Sequence, residues 1–410
     1  MRGIKTLAIS TLLLLSQHSI ADTLDNALAL FDFAETSYPE LLSPAAPEVQ
    51  ELQGFYLRHY TDTNIYLGVQ GDNIWAFGEQ LGPDLVYVGK LSDIISVDAA
   101  DITDLNFSNR RPECSYYAEN LFSSVRDLKR SMNFSGSVEI TVEGDECIIT
   151  TNSIPNHDFN DNSAVFATDV SEVEAEFRIP TEPAFAADTT AISLTTDNAV
   201  LLNGVKIDLL AAACFGVGDE KIGCNDIDQP WRFDPMSSNN NFGTDQHNAH
   251  TQPDGTYHYH GNPEALFEQA GINESPLVGF AADGFPIFGS YIEDGGQMRA
   301  VTSSYQLISG TRPSGADNPG GSYDGTYVDD YEYVANSGDL DECNGHSGST
   351  PEAHNEIYHY HSTLTNGDGD LGFPYFPLCY KGVVNEDNYQ TTDIGGLGPP
   401  PNGGSPPPRP

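Results

Sequence analysis

Two stretches of this chain spell Tyr-His-Tyr-His, at residues 257–260 and 358–361. Alternation with a period of two belongs to a strand, in which side chains i and i+2 share a face and i+1 points away. Each tetrapeptide therefore predicts a strand with two imidazoles on one face (His258 and His260, His359 and His361) and two phenols on the other (Tyr257 and Tyr259, Tyr358 and Tyr360). Same-face Cα atoms stand roughly 6.5–7 Å apart. Two imidazoles at that spacing can lean onto one ion about 2.0–2.1 Å from each ring nitrogen.

The tetrapeptides are the ends of a longer repeat. "DQHNAH" matches "DECNGH", so Asp245 pairs with Asp341, His247 with Cys343, Asn248 with Asn344 and His250 with His346. A Gly/Pro/Asp-containing loop then leads each copy into Tyr-His-Tyr-His. The repeats occupy residues 241–264 and 339–363 and hold eight of the 11 histidines. His250 and His346 lie close enough to fold back over their own pairs. Each copy then offers three imidazoles, or the two pairs combine into one site. Imidazole-rich sites without thiolate suit copper, zinc, iron or nickel rather than calcium or magnesium, and copper and zinc lead here. The rival reading is a buried Tyr/His hydrogen-bond network without metal.

Further residues join as candidates. His157 follows Pro155 in a loop of the strand-rich part, and His247 opens the first repeat. Asp283, in "AADGFP", is placed to orient a ligand histidine or simply to make its turn. Together with Tyr257, Tyr259, Tyr358 and Tyr360 it forms the expected outer layer. Asn366, Asp368 and Asp370 alternate like the first half of a calcium loop, but Pro377 stands where the closing glutamate belongs. No G-x-S-x-G, P-loop or G-x-G-x-x-G motif is present, which leaves nucleophile-elbow and nucleotide chemistry without a signature.

The 410 residues suffice for two or three domains. Residues 1–21 read as a signal peptide: Arg2 and Lys5, an apolar run from Leu7 to Leu15, and small residues ending at Ala21. That run is too short to span a bilayer, so a secreted or periplasmic chain is expected. Sixty acids against 17 bases give a formal charge of −43, which disfavours nucleic acid and anionic membranes as partners. A small-molecule or protein partner stays open. In an oxidising compartment six cysteines predict three disulfides. The shortest loops pair Cys114 with Cys147, Cys214 with Cys224 and Cys343 with Cys379.

The predicted fold is mainly β. Residues 22–106 form a small α+β unit: an amphipathic helix with Leu24, Leu28, Phe31 and Ala34 on one face, then an antiparallel meander. Residues 110–385 form a β-rich, loop-rich domain with the internal repeat, strand-rich over 110–210. Only "YYAENLFSSVRDLKRSM" (116–132) reads as helical there. Residues 395–410 are a disordered Pro/Gly tail.

"IPNHDF", "DGTYHYHGNP", "SPLVGFAADGFPIFGSY", "LDECNGH" and "YHYH" followed by "FPYFPLCY" together resemble the YHYH-domain family of exported bacterial proteins, over about residues 135–382. The resemblance implies that His157, His250, His258, His260, His346, His359 and His361 matter. It supplies no reaction. The expectation is an exported protein holding copper or zinc through the duplicated His-x-His site. The alternatives are a secreted hydrolytic or oxidative metalloenzyme using the same site, and a structural or adhesive surface module.

Overall fold

The computed structural model describes residues 27–28, 30–31, 34–35, 42 and 49–384, apart from 53–54, 62, 71–72, 79–85, 91–98, 241, 350–355 and 365–371. The expected signal peptide, the Pro/Gly tail, His354 and the loop with Asp368 and Asp370 lie outside these residues. Two compact units divide the chain at Ala99/Ala100.

In the first unit Ala27, Leu30, Phe31 and Ala34 are helical and buried, an i, i+3, i+4, i+7 stripe. Leu28 sits at its edge, half-buried. The stripe packs with Leu67, Val69 and Ile74 of a five-stranded antiparallel meander whose strands follow sequence order. Helix-then-meander is what the sequence predicts.

The two largest sheets of the second unit share one apolar core, beside several two-stranded ones. The smaller has five strands, in the order Ala175–Pro180, Glu146–Thr151, Met132–Glu143, Asn120–Asp127, Ala100–Asp101. The helix expected over 116–132 is instead the strand Asn120–Asp127. Its inward positions are Ser123, Val125 and Asp127, and two of these are polar, which hid the alternation. Their polarity is met by packing: Ser123 Oγ donates to the Pro155 carbonyl, and Asp127 accepts from Arg130 Nε at 2.6 Å. Tertiary pairing overrides the helical propensity of the segment.

The larger sheet has eight strands: β1 (Ala199–Leu201), β2 (Lys206–Ile207), β3 (Ala249–Thr251), β4 (Tyr257–Tyr259), β5 (Leu277–Ala281), β6 (Pro286–Phe288), β7 (Gly345–Ser349) and β8 (Glu356–His361). Their spatial order is β3-β4-β2-β1-β5-β6-β8-β7. Read outward from the centre, both halves are built alike. A tight hairpin (β1–β2 or β5–β6) lies antiparallel to its twin, and its second strand runs parallel to the Tyr-His-Tyr-His strand. The outer strand, which carries His250 or His346, pairs antiparallel at the edge. In each hairpin the turn glycine (Gly204 or Gly284) has positive φ, so the Asn203-Gly204 and Asp283-Gly284 turns are equivalent. The central pairing Val200↔Phe280 joins equivalent positions, which marks a local two-fold axis. The duplication seen in the histidine modules thus extends to the hairpins before them.

The three disulfides pair as predicted: Cys114–Cys147, Cys214–Cys224 and Cys343–Cys379. Among the described residues no helix is long and apolar enough to cross a membrane.

Candidate metal centres

Registered partners across a sheet share a face. The register therefore lays one row across all eight strands: His250, His258, Lys206, Val200, Phe280, Pro286, His359, His346. His260 and His361 stand two residues beyond His258 and His359 on that same face. Three imidazoles gather at each end of the row, His250/His258/His260 and His346/His359/His361. Five strand spacings separate His258 from His359, roughly 24 Å. The histidine pairs do not converge on one shared site; they form two.

Within each cluster the Nε2 atoms point inward. His260 Nε2 lies 3.0 Å from the Nε2 atoms of both His258 and His250. His346 Nε2 lies 3.1 Å from that of His359 and 3.3 Å from that of His361. The opposite ring nitrogens are fastened to the backbone. His258 Nδ1–H donates to the Thr256 carbonyl at 3.3 Å and His359 Nδ1–H to Ile357 at 3.1 Å. His260 Nδ1–H reaches the Leu209 carbonyl at 3.4 Å and His361 Nδ1–H the Gly289 carbonyl at 2.7 Å. A carbonyl can only accept, so these four rings keep their proton on Nδ1 and present a bare lone pair at Nε2.

One proton on the third ring can satisfy only one of its neighbours. The remaining lone pairs face each other, an arrangement that a cation relieves. Ligand nitrogens about 2.0–2.1 Å from a tetrahedral ion stand about 3.3–3.4 Å apart, a few tenths of an ångström beyond the observed spacing. The donor set and the fixed Nδ1 tautomers fit a transition-metal ion in each cluster.

Burial also keeps the rings neutral. It pushes His258, His260 and His361 well below the ordinary imidazole value, and neighbouring imidazoles add to the effect. His359 is pushed down to about 3, and His250 and His346 are lowered for the same first reason. Protons then do not compete for Nε2 near neutral pH.

The tyrosines occupy the opposite face, as alternation requires, and touch no ring of either triad through a hydrogen bond. Tyr257 OH donates to Asp245 Oδ2 at 2.9 Å, and Tyr358 OH to Asp341 Oδ2 at 3.0 Å. Each aspartate in turn accepts backbone N–H groups of its own loop, His247 N or Cys343 N. Asn248 and Asn344, at φ 64° and 65°, make the left-handed bend that follows. The Asp–Tyr bond thus latches the loop that delivers His250 or His346.

Three expected residues stand elsewhere. Asp283 orients no histidine: its carboxylate accepts from Tyr360 OH at 2.6 Å, Gly382 N at 2.8 Å and Phe285 N at 3.2 Å. The hairpin turns it to the tyrosine face, where it bonds its own turn, the second of the two roles the sequence left open; backbone carbonyls orient the histidines. His157 lies on that face too; its Nε2 accepts from Tyr259 OH at 2.6 Å while Nδ1–H donates to the Asp158 carbonyl. His247 packs on His157 with ring centroids 3.9 Å apart. Neither belongs to a triad.

Sequence reasoning overlooked Asn203, which donates to Tyr259 OH at 3.1 Å as the counterpart of Asp283. It also overlooked Lys206, Asp208 and Gln252 beside the first triad. Aligning "VLLNGVKI" with "FAADGFPI" (200–207 and 280–287) is the signal that would have found the hairpin pair.

A family model described as YHYH protein matches residues 176–382, a span that includes both triads and leaves His157 outside. No curated protein and no solved structure matches the chain.

Proposed function

We propose, for a chain that belongs to the YHYH protein family, that it is an exported metal-binding protein carrying two transition-metal ions, copper or zinc, one in each histidine triad. One observation carries this reading. In each cluster two buried, neutral imidazoles, their tautomers fixed by backbone carbonyls, and a half-buried third bring their Nε2 atoms together. His250, His258 and His260 would hold one ion and His346, His359 and His361 the other. The three disulfides agree with an oxidising compartment outside the cytoplasm. The acidic surface favours approach of cations.

Metal analysis of the untagged protein tests the reading. About two equivalents of copper or zinc per chain are expected, falling by one in His258→Ala/His260→Ala. Less than about a tenth of an equivalent of any transition metal, with no tight uptake on titration, overturns it in favour of a structural Tyr/His network. A second reading rests on the count of three. Three protein ligands with a further position open is the arrangement of catalytic zinc sites, so a metalloenzyme is the alternative. A centre whose ion accepts an added ligand favours it; a closed centre favours carriage or storage.

A further inference from the structure

The repeat gives the triads equivalent backbones and different walls. Beside the first stand Lys206, Asp208 and Gln252; their counterparts beside the second are Pro286, Phe288 and Gly348. Lys206 is the registered neighbour of His258, buried, with Nζ donating to Asp197 Oδ1 at 2.8 Å. Gln252 Nε2 donates to Asp208 Oδ2 at 2.5 Å. Gln252 follows edge strand β3 and Asp208 follows β2, so this bond spans β4, the strand that carries His258. In the second half the Phe288 ring lies 5.0 Å from the His359 ring and 6.2 Å from that of His361, centroid to centroid. Asp208 occupies the position equivalent to that ring.

Gln252 Oε1 is buried and has no hydrogen-bond partner among the described residues. A bare buried acceptor is costly, so it calls for a donor. Neither Phe288 nor Gly348 can offer an acceptor from its side chain. Charged groups do flank the second triad, Arg110 against the Phe288 ring and Asp339 toward His346, but the Asp339 carboxylate is taken by Arg299 and Thr302. The Gln252 position therefore suits a ligand that donates hydrogen bonds, and its counterpart at the second triad offers no side-chain acceptor.

Resting on the metal-binding reading, we propose that the two centres are inequivalent: the first holds its ion together with a water molecule that donates to Gln252 Oε1, and the second holds its ion by imidazoles alone. Gln252 is then a positioning residue for the water, with Asp208 fixing the amide through its Nε2.

Cu(II) is the probe, and the full disulfide-bonded chain is the sample. His359→Ala/His361→Ala leaves the first triad and His258→Ala/His260→Ala leaves the second. After exchange into D2O, pulsed electron paramagnetic resonance is expected to show deuterium of a bound water only in the variant that keeps the first triad. Water-proton relaxation should be higher in that variant. Gln252→Leu in the otherwise native chain is expected to lose the water signal while still binding two equivalents of Cu(II), and it decides the matter if the paired alanine variants do not fold. Equal water signals from both centres, or an unchanged signal in Gln252→Leu at full loading, overturn the inequivalence while leaving metal binding intact. Failure of the native chain to take up Cu(II), Zn(II) or Co(II) overturns the metal-binding reading itself.

Discussion

The two halves of the eight-stranded sheet share a backbone path and differ in how they are fastened. Both repeat the three rings, the carbonyls that hold Nδ1, the Asp–Tyr latch and the left-handed asparagine. At the position of His247, which rests on His157 in the first half, the second has Cys343 bonded to Cys379. Where the first has Asn203 on its second tyrosine, the second has Asp283. The buried Lys206–Asp197 pair of the first half corresponds to Pro286 and Leu277 in the second. What repeats is what three converging imidazoles require. What varies is the interior chemistry behind them, which packing or a covalent bond can supply equally well.

The largest expected effect is acid lability, and it should be uneven between the halves. Burial lowers five imidazoles on or against the first half (His157, His247, His250, His258, His260) and three in the second (His346, His359, His361). Unfolded, these rings titrate at about 6.5. Below that the unfolded chain takes protons the fold refuses, so stability falls with falling pH, by up to about 1.4 kcal/mol per unit for each ring. Half-buried Asp208 and buried Asp234 and Asp283, each pushed up to about 6 by desolvation, act oppositely. They retain a proton in the fold, adding stability at low pH that is lost as pH rises through about 6. The imidazoles outnumber them, so the metal-free chain should lose unfolding free energy from pH 7 to 5 in denaturant titrations. Hydrogen exchange should show β4 opening before β8. A flat profile, or β8 opening first, contradicts this.

Next in size are the fasteners. Lys206→Met removes the buried ammonium that donates to Asp197 and lies in the field of Asp208, at a cost of about 3–5 kcal/mol. Adding Asp197→Leu, the residue at the equivalent position 277, should restore most of that loss. Urea unfolding of the single and double variants checks it; a single-variant loss under about 1 kcal/mol would show that the pair is not confined as described. Cys343→Ser/Cys379→Ser should cost about 3–4 kcal/mol, given the loop of 36 residues it closes. His247→Ala, at the equivalent position, removes a ring contact worth about 1 kcal/mol. Equal losses would mean that the ring stack fastens its loop as firmly as the disulfide does.

The unequal legibility of these features follows from their range. Tyr-His-Tyr-His betrays its strands because a period of two is local, and the second copy of the module shows which third histidine belongs to each cluster. The disulfides were legible because short loops favour sequential pairing. Strand Asn120–Asp127 was not, since its inward Ser123 and Asp127 are satisfied by partners such as Pro155 that are distant in sequence. The carbonyls of Leu209 and Gly289 carry no signature, because every residue has a carbonyl and only the parallel pairing brings these two to a ring. The choice between the two roles open to Asp283 was not legible for the same reason: its face is set by a hairpin whose likeness to Asn203-Gly204 is confined to a few apolar residues around a turn.

The smallest predicted effect is confined to one half. A Cβ at Gly348 would lie 3.3 Å from His359 Cε1 and 3.6 Å from His346 Nε2. The first is tight without being forbidden and the second is ordinary contact, so the His359 ring must give by a few tenths of an ångström. Gly348→Ala should therefore cost less than about 1 kcal/mol of stability. Its effect on the second centre should be sharper, because a ligand shifted by that amount lengthens a bond whose normal span is about 2.0–2.1 Å. Competitive titration with a chelator is expected to show one of two Zn(II) equivalents weakened several-fold and the other unchanged. Gln252 occupies the equivalent place in the first half and turns its chain to Asp208, so no comparable crowding exists there. Equal weakening of both equivalents would show that the two centres are coupled through the row of side chains between them, rather than built as independent ends of one sheet.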